Sequence, residues 1–78
     1  AGSWAGLGAA RMQTRNFAGA VQAYQRAVQL QSNNSGYFTM LGHAFRMSGN
    51  AAGARQAYQR ALAIDPANAA AQQGLNGG

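Results

Sequence analysis

The fold is decided by a stretch that occurs twice, as NFAGAVQAYQRAVQL at residues 16–30 and as NAAGARQAYQRALAI at residues 50–64. Extending the alignment outward pairs residues 1–34 with residues 35–68 without a gap, and about 15 positions are identical. Upstream, the same register places SWAGLGAA opposite YFTMLGHA. The chain is therefore predicted to repeat one structural unit with a period of 34 residues.

Each unit carries the apolar spacing of an amphipathic α-helix, with small and aromatic residues recurring at three and four positions. In the two copies these residues are Ala20, Ala23, Tyr24, Ala27 and Val28, then Ala54, Ala57, Tyr58, Ala61 and Leu62. Asn16 and Asn50 suit the N-cap, because a short amide can accept a hydrogen bond from the first turn. Gly49, just before Asn50, can adopt a positive φ and end the preceding helix.

The pattern W-x-x-L-G, then A-x-x-x-Y/F, A and P resembles the tetratricopeptide repeat family and covers almost the whole chain. The residues that carry it are Trp4, Leu7, Gly8, Ala20, Tyr24, Ala27, Phe38, Leu41, Gly42, Phe45, Ala54, Tyr58, Ala61 and Pro66. The resemblance implies an all-α fold of tandem antiparallel helix hairpins stacked into a superhelix. It also implies that the protein binds other proteins.

Small residues at the signature positions are expected to let the two helices of a hairpin approach closely. Gly8 would face Ala20 and Ala27 in this way. The space between hairpins is predicted to be filled by Trp4, Tyr24, Phe38 and Tyr58. Pro66 is predicted to end the second long helix, because its ring fixes φ and removes an N–H donor.

The first unit departs from the pattern at three positions. Arg11 stands where Phe45 does, Arg15 where Gly49 does, and Ser32 in place of Pro66. We expect the first hairpin to be less well packed, or Arg11 to face something outside this chain. The Arg15 turn is expected to be strained or differently shaped.

The period divides the chain into unit 1 at residues 1–34 and unit 2 at residues 35–68. The remaining residues, 69–78, are predicted to form a capping helix or the start of a third unit. Leu75 is equivalent to Leu7 and Leu41, whereas the aromatic position holds Gln72. A polar residue there suits a helix whose outer face meets water.

The inventory of reactive groups argues against an enzyme, a metal site and a cofactor. The chain has one His, one acid, Asp65, and no Cys, Lys or Glu. Paired carboxylates are impossible, and Asp65 precedes Pro66 at a helix end, away from His43. A lone His cannot supply the three or four ligands usual for zinc.

The net charge of +5, from six Arg and one acid, makes nucleic acid or another anionic polymer an alternative partner. Two observations argue against it: the Arg residues are spread around the predicted solenoid, and the aromatic residues are needed by its core. Self-association into a homo-oligomer is the other alternative, because arrays usually need about three repeats for stability.

In the family the first helix of each repeat lines the concave side, where ligands bind. The residues of these helices expected off the packing face are Ala5, Ala9, Met12, Gln13, Thr39, Met40, His43, Arg46 and Met47. They predict a small-residue, apolar groove in which flexible Met side chains adapt to a helix or an extended peptide. Arg46 and His43 would supply the polar contacts.

The absence of Lys and Glu beside abundant Ala, Gly and Arg indicates GC-rich coding and a bacterial source. The Ala/Gln-rich repeats with YQRAL are similar to arrays of envelope proteins that export polysaccharide or assemble pili. Both periplasm and cytoplasm remain open as compartments. No apolar run approaches the roughly 20 residues that span a bilayer, so direct membrane insertion of this segment is not expected.

Overall fold

The computed structural model describes residues 3–76, which form five α-helices. These are α1 (Trp4–Gln13), α2 (Phe17–Leu30), α3 (Ser35–Met47), α4 (Ala51–Ile64) and α5 (Ala69–Asn76). Helices α1 and α2 form one hairpin, α3 and α4 form the second, and α3 packs on α2. Helix α5 packs on α4 and α3. The predicted all-α hairpins and the additional C-terminal helix are confirmed; residues 77 and 78 of the third segment lie outside the described range.

Asparagine side chains cap the N-termini of α2 and α4, as predicted. The Asn16 side chain accepts a hydrogen bond from the Gly19 N–H at 3.1 Å, and Asn50 accepts one from the Gly53 N–H at 2.9 Å. The same kind of cap recurs at Asn34. Each cap satisfies a first-turn N–H group that has no partner within the helix.

The two hairpin turns have the same backbone geometry despite their different sequences. Arg15 has a φ of 63°, and Gly49 has a φ of 91°. Equivalent hydrogen bonds close both turns, from the Asn16 N–H to the Arg11 carbonyl and from the Asn50 N–H to the Phe45 carbonyl, each at 2.8 Å. The expected strain at Arg15 is present, because a residue with a Cβ is disfavoured at this φ. The alternative expectation, a differently shaped turn, is wrong.

Within each hairpin a tyrosine ring of the second helix lies directly over a glycine of the first. A Cβ added to Gly8 would lie 2.8 Å from the Tyr24 ring, and one added to Gly42 would lie 2.8 Å from the Tyr58 ring. Ala20 and Ala61 are fully buried nearby. The helices therefore approach closely at Gly8, as predicted, but the side chain nearest to Gly8 is that of Tyr24 and not Ala20 or Ala27.

The prediction that Trp4 fills space between hairpins is wrong. Trp4 is 42% exposed and Leu7 is 39% exposed, whereas their equivalents Phe38 and Leu41 are 8% and 5% exposed. Phe38 and Leu41 belong to one buried cluster with Ala20 and Tyr24 of α2, which packs on α3, whereas within residues 3–76 helix α1 packs chiefly on α2. The same signature residues are therefore buried in one unit and accessible in the other.

A polar network ties α5 to the second hairpin. The Asn68 amide donates to the hydroxyls of Ser35 and Thr39, at 2.6 and 2.8 Å. Ser35 in turn donates to the Ala61 carbonyl at 3.0 Å. These bonds join α3, α4 and the start of α5, and they fix the position of the last helix.

None of the helices described is long and apolar enough to cross a membrane.

Candidate functional site

One groove runs along the first helices of the successive units, and we call it the inner groove. It has a volume of about 360 Å³ and is lined by Met12, Tyr24, Thr39, Met40, His43, Arg46, Tyr58, Ala70, Gln73 and Gly74. Its walls come from α1, α3 and α5, and its floor from a tyrosine of α2 and one of α4. The stacking of the hairpins thus creates a surface that no single hairpin has.

The floor is aromatic. Tyr24 and Tyr58 are each 3% exposed, so their rings belong to the core while their edges reach the groove. Burial raises the pKa of the Tyr24 phenol above its ordinary value of 10.0. That hydroxyl therefore remains neutral at physiological pH. It can act as a hydrogen-bond donor on an otherwise apolar floor.

Five of the nine predicted binding residues come together in the inner groove: Met12, Thr39, Met40, His43 and Arg46. Met40 is 45% exposed, and His43 and Arg46 are also exposed, so these three side chains are available to a partner. Met12 is half-buried and also packs against the core. The groove offers apolar contact, one imidazole and one positive charge.

Thr39 lines the groove with its hydroxyl already engaged. That hydroxyl donates to the Ser35 carbonyl at 3.0 Å and accepts a hydrogen bond from the Asn68 amide at 2.8 Å. It therefore supports the position of α5, and only its remaining surface faces the groove.

The other four predicted residues lie outside the lining of the inner groove. Ala5 was expected off the packing face, but it is half-buried and packs against the core. Ala9 and Gln13 are exposed on α1. Met47 is 47% exposed at the end of α3. Within the described residues α5 reaches the register equivalent of Gly42, and Met47 is not among the residues that line the inner groove.

The sequence reasoning missed the residues that α5 contributes. Gln73 occupies the register position of Thr39, and Gly74 occupies that of Met40. The sequence predicts Tyr24 and Tyr58 only as residues that fill the space between hairpins. Carrying the 34-residue register into α5 would have identified Gln73 and Gly74, because equivalent residues of stacked units line the same face.

No cluster of three or more His, Cys, Asp or Glu residues occurs within residues 3–76. Asp65 lies at the end of α4, where its carboxylate accepts a hydrogen bond from the Ala67 N–H at 3.1 Å. Asp65 lines a different surface from His43.

The inner groove is suited to holding an apolar or amphipathic segment.

Comparison with known families agrees with the hairpin architecture. The family model described as Tetratricopeptide repeat matches residues 1–34 and 36–68. The two matches correspond to the two hairpins and leave α5 outside. No curated protein matches the chain.

Proposed function

Because the chain belongs to the tetratricopeptide repeat family, whose repeats are generally non-catalytic protein-interaction modules, we propose that it is a scaffold module within a multiprotein assembly. Its ligand is a helix or an extended peptide of another protein. The segment lies in the inner groove, and the chain itself catalyses no reaction.

The main support is the exposure of Met40 above an aromatic floor. A methionine that is nearly half exposed beside Tyr24 and Tyr58 loses apolar surface to water when a partner covers it. Its flexible thioether side chain can adapt to the shape of the incoming segment. Burial of apolar side chains on Met40 and the tyrosine edges would supply most of the affinity.

Polar contacts would orient the bound segment. Arg46 can form a paired hydrogen bond with a carboxylate, and His43 can donate to a backbone or side-chain oxygen. Both are exposed on α3, one turn apart, so they point along one edge of the groove. We therefore expect the bound segment to be apolar on one side and to carry an acidic residue near Arg46.

We further propose that the assembly is bacterial, with polysaccharide export or pilus assembly as the pathways. This step rests on the Ala/Gln-rich repeats and on the coding bias in residue usage. Identification of the captured proteins tests it. A partner from an unrelated pathway would overturn the pathway and leave the groove proposal intact.

The groove proposal is tested with matched variants on α3. The chain is immobilised, its binding proteins are identified by mass spectrometry, and the affinity of each for soluble variants is measured. Met40→Ala combined with Arg46→Ala should weaken binding by about tenfold or more, a loss of about 1.4 kcal/mol. Met47→Ala removes an equally exposed methionine of the same helix from outside the groove, and should leave the affinity unchanged.

Circular dichroism of each variant checks that the helices remain folded. Equal affinity of the wild type and the double variant would contradict the proposal. So would an equal loss from Met47→Ala. If the affinity falls steeply with salt concentration but is the same for the wild type and both variants, the ligand is instead an anionic polymer that the Arg residues bind.

A further inference from the structure

A second groove lies on the outer side of the first hairpin, away from the inner groove, and we call it the end groove. It has a volume of about 620 Å³ and is lined by Trp4, Leu7, Arg11, Gly19, Gln22, Ala23, Gln25, Arg26 and Gln29. The exposed Trp4 and Leu7 give it an apolar part. Arg11 and Arg26 give it two positive charges.

The second hairpin shows which structural element can cover the end groove. Phe38 and Leu41, the equivalents of Trp4 and Leu7, are buried in one cluster with Ala20 and Tyr24 of α2, which packs on α3. Since α2 and α3 are joined by a short turn, α2 runs antiparallel to α3. An α-helix lying antiparallel to α1 would cover Trp4 and Leu7 in the same way.

Arg11 changes the chemistry that this helix must have. Its side chain lies against Gly19 as Phe45 lies against Gly53: a Cβ on Gly19 would be 2.9 Å from Arg11 Cδ, and one on Gly53 would be 2.9 Å from Phe45 Cδ1. Arg11 thus fills an aromatic position with a charged group. Its Nε is buried and has no hydrogen-bond partner within residues 3–76.

A carboxylate is the natural acceptor for that buried donor. The only acid in the chain is Asp65, which lies at the end of α4 and is bonded to the Ala67 N–H. Arg26 adds a second positive charge to the same groove. An unpaired buried donor destabilises the protein, and a charge-assisted hydrogen bond to a carboxylate removes that cost.

We propose that the end groove binds an α-helix of another protein, which lies antiparallel to α1, packs apolar side chains on Trp4 and Leu7, and places a carboxylate against Arg11. A second copy is a poor occupant, because two end grooves facing each other would bring together Arg11 and Arg26 of both copies, and the only carboxylate side chain that any other surface of a copy offers is Asp65. This surface is separate from the inner groove and does not depend on the function proposed for it.

The experiment uses the fluorescence of Trp4, which is the only Trp in the chain and lies in the end groove. The probes are two synthetic peptides with the sequence of residues 17–30, the helix that covers the equivalent face of α3. One carries Val21→Glu and the other Val28→Glu. The two substitutions lie on one helix face, two turns apart, and give equal net charge.

Antiparallel docking on α1 places position 21 of the peptide near Arg11 and position 28 near Trp4. The Val21→Glu peptide should therefore bind about tenfold more tightly than the Val28→Glu peptide, with a saturable change in Trp4 emission. Arg11→Gln should abolish this preference. Arg55→Gln makes the same change in net charge on α4, outside the end groove, and should preserve it.

Equal binding of the two peptides, or a preference that survives Arg11→Gln, would overturn the proposal. A 20-nucleotide oligo-dT that quenches Trp4 while neither peptide binds would assign the groove to nucleic acid and overturn it as well. Trp4 emission that depends on protein concentration, together with a dimer in sedimentation, would identify a second copy as the occupant.

Discussion

The first and second hairpins share their turns and their tyrosine–glycine packing, yet they differ in what covers their first helices. Trp4 and Leu7 of α1 are exposed, whereas Phe38 and Leu41 of α3 lie beneath α2. Arg11 fills a position that Phe45 fills in the second hairpin. The comparison shows that residue type and turn geometry determine a hairpin, whereas its neighbours determine which of its apolar residues are buried.

The largest difference between the hairpins should appear when the equivalent leucines are truncated. Leu41→Ala should lower the free energy of unfolding by about 3 kcal/mol, because it opens a cavity between α2 and α3. Leu7→Ala should cost about 1 kcal/mol or less, since Leu7 is already partly in water. Urea unfolding followed by circular dichroism measures both, and equal losses would show that Leu7 is as buried as Leu41.

Substitution of the glycines that lie under the tyrosine rings should give a smaller difference in stability between the two hairpins. Gly42→Ala should cost about 2 kcal/mol, because Tyr58 lies between Gly42 and Gly74 and cannot move away from a new Cβ. Gly8→Ala should cost about 1 kcal/mol, since Tyr24 has the flexible side chain of Met40 in the place of Gly74. Thermal unfolding of the two variants tests this order, and a larger loss from Gly8→Ala would reverse the account of tyrosine packing.

Substitutions at the two hairpin turns should have opposite effects on stability: Arg15→Gly in the first hairpin should be stabilising, and Gly49→Ala in the second should be destabilising. Arg15→Gly should stabilise the protein by about 0.5–1 kcal/mol, because glycine tolerates the φ of 63°. Gly49→Ala should destabilise it by a similar amount through φ alone, since no atom lies within 4 Å of the added Cβ. A loss of stability in Arg15→Gly would mean that the Arg15 side chain makes a stabilising contact.

The smallest effect is expected at the turn between the hairpins. Gln31 has φ −134° and ψ 79°, and Asp65, which precedes Pro66, has φ −136° and ψ 93°. This backbone region suits a residue before proline. Ser32→Pro should therefore raise the free energy of unfolding by about 0.5 kcal/mol, chiefly by restricting the unfolded chain. A lower melting temperature would show that the two turns are not equivalent.

Much of the fold follows from local chemistry that the sequence contains. The asparagine caps, the helix spacing and the close approach of the helices at Gly8 were predicted from residue types, because each depends on neighbours within one hairpin. The tyrosine rings over Gly8 and Gly42 were not predicted. The strain at Arg15 was also predictable. The preserved shape of its turn was not, since the same backbone hydrogen bonds form around either residue.

The exposure of Trp4 and Leu7 in the first hairpin could not be predicted in the same way. Trp4 has the residue type of a core anchor, but its exposure depends on whether a helix packs on that side of α1. For the candidate site, the register predicted Met40, His43 and Arg46, which the structure places in the lining of the inner groove. It grouped Met47 with them, although Met47 lies outside the groove lining, because the extent of the groove is visible only in three dimensions.

Binding of a protein segment in the inner groove is tested most directly by methyl NMR of the three methionines. Met12 and Met40 line the groove, whereas Met47 lies beyond it. When the captured partner is titrated into the chain with labelled methionine methyl groups, the Met12 and Met40 signals should shift while Met47 stays unchanged. A shift confined to Met47, or no shift at saturating partner, would contradict binding in the inner groove.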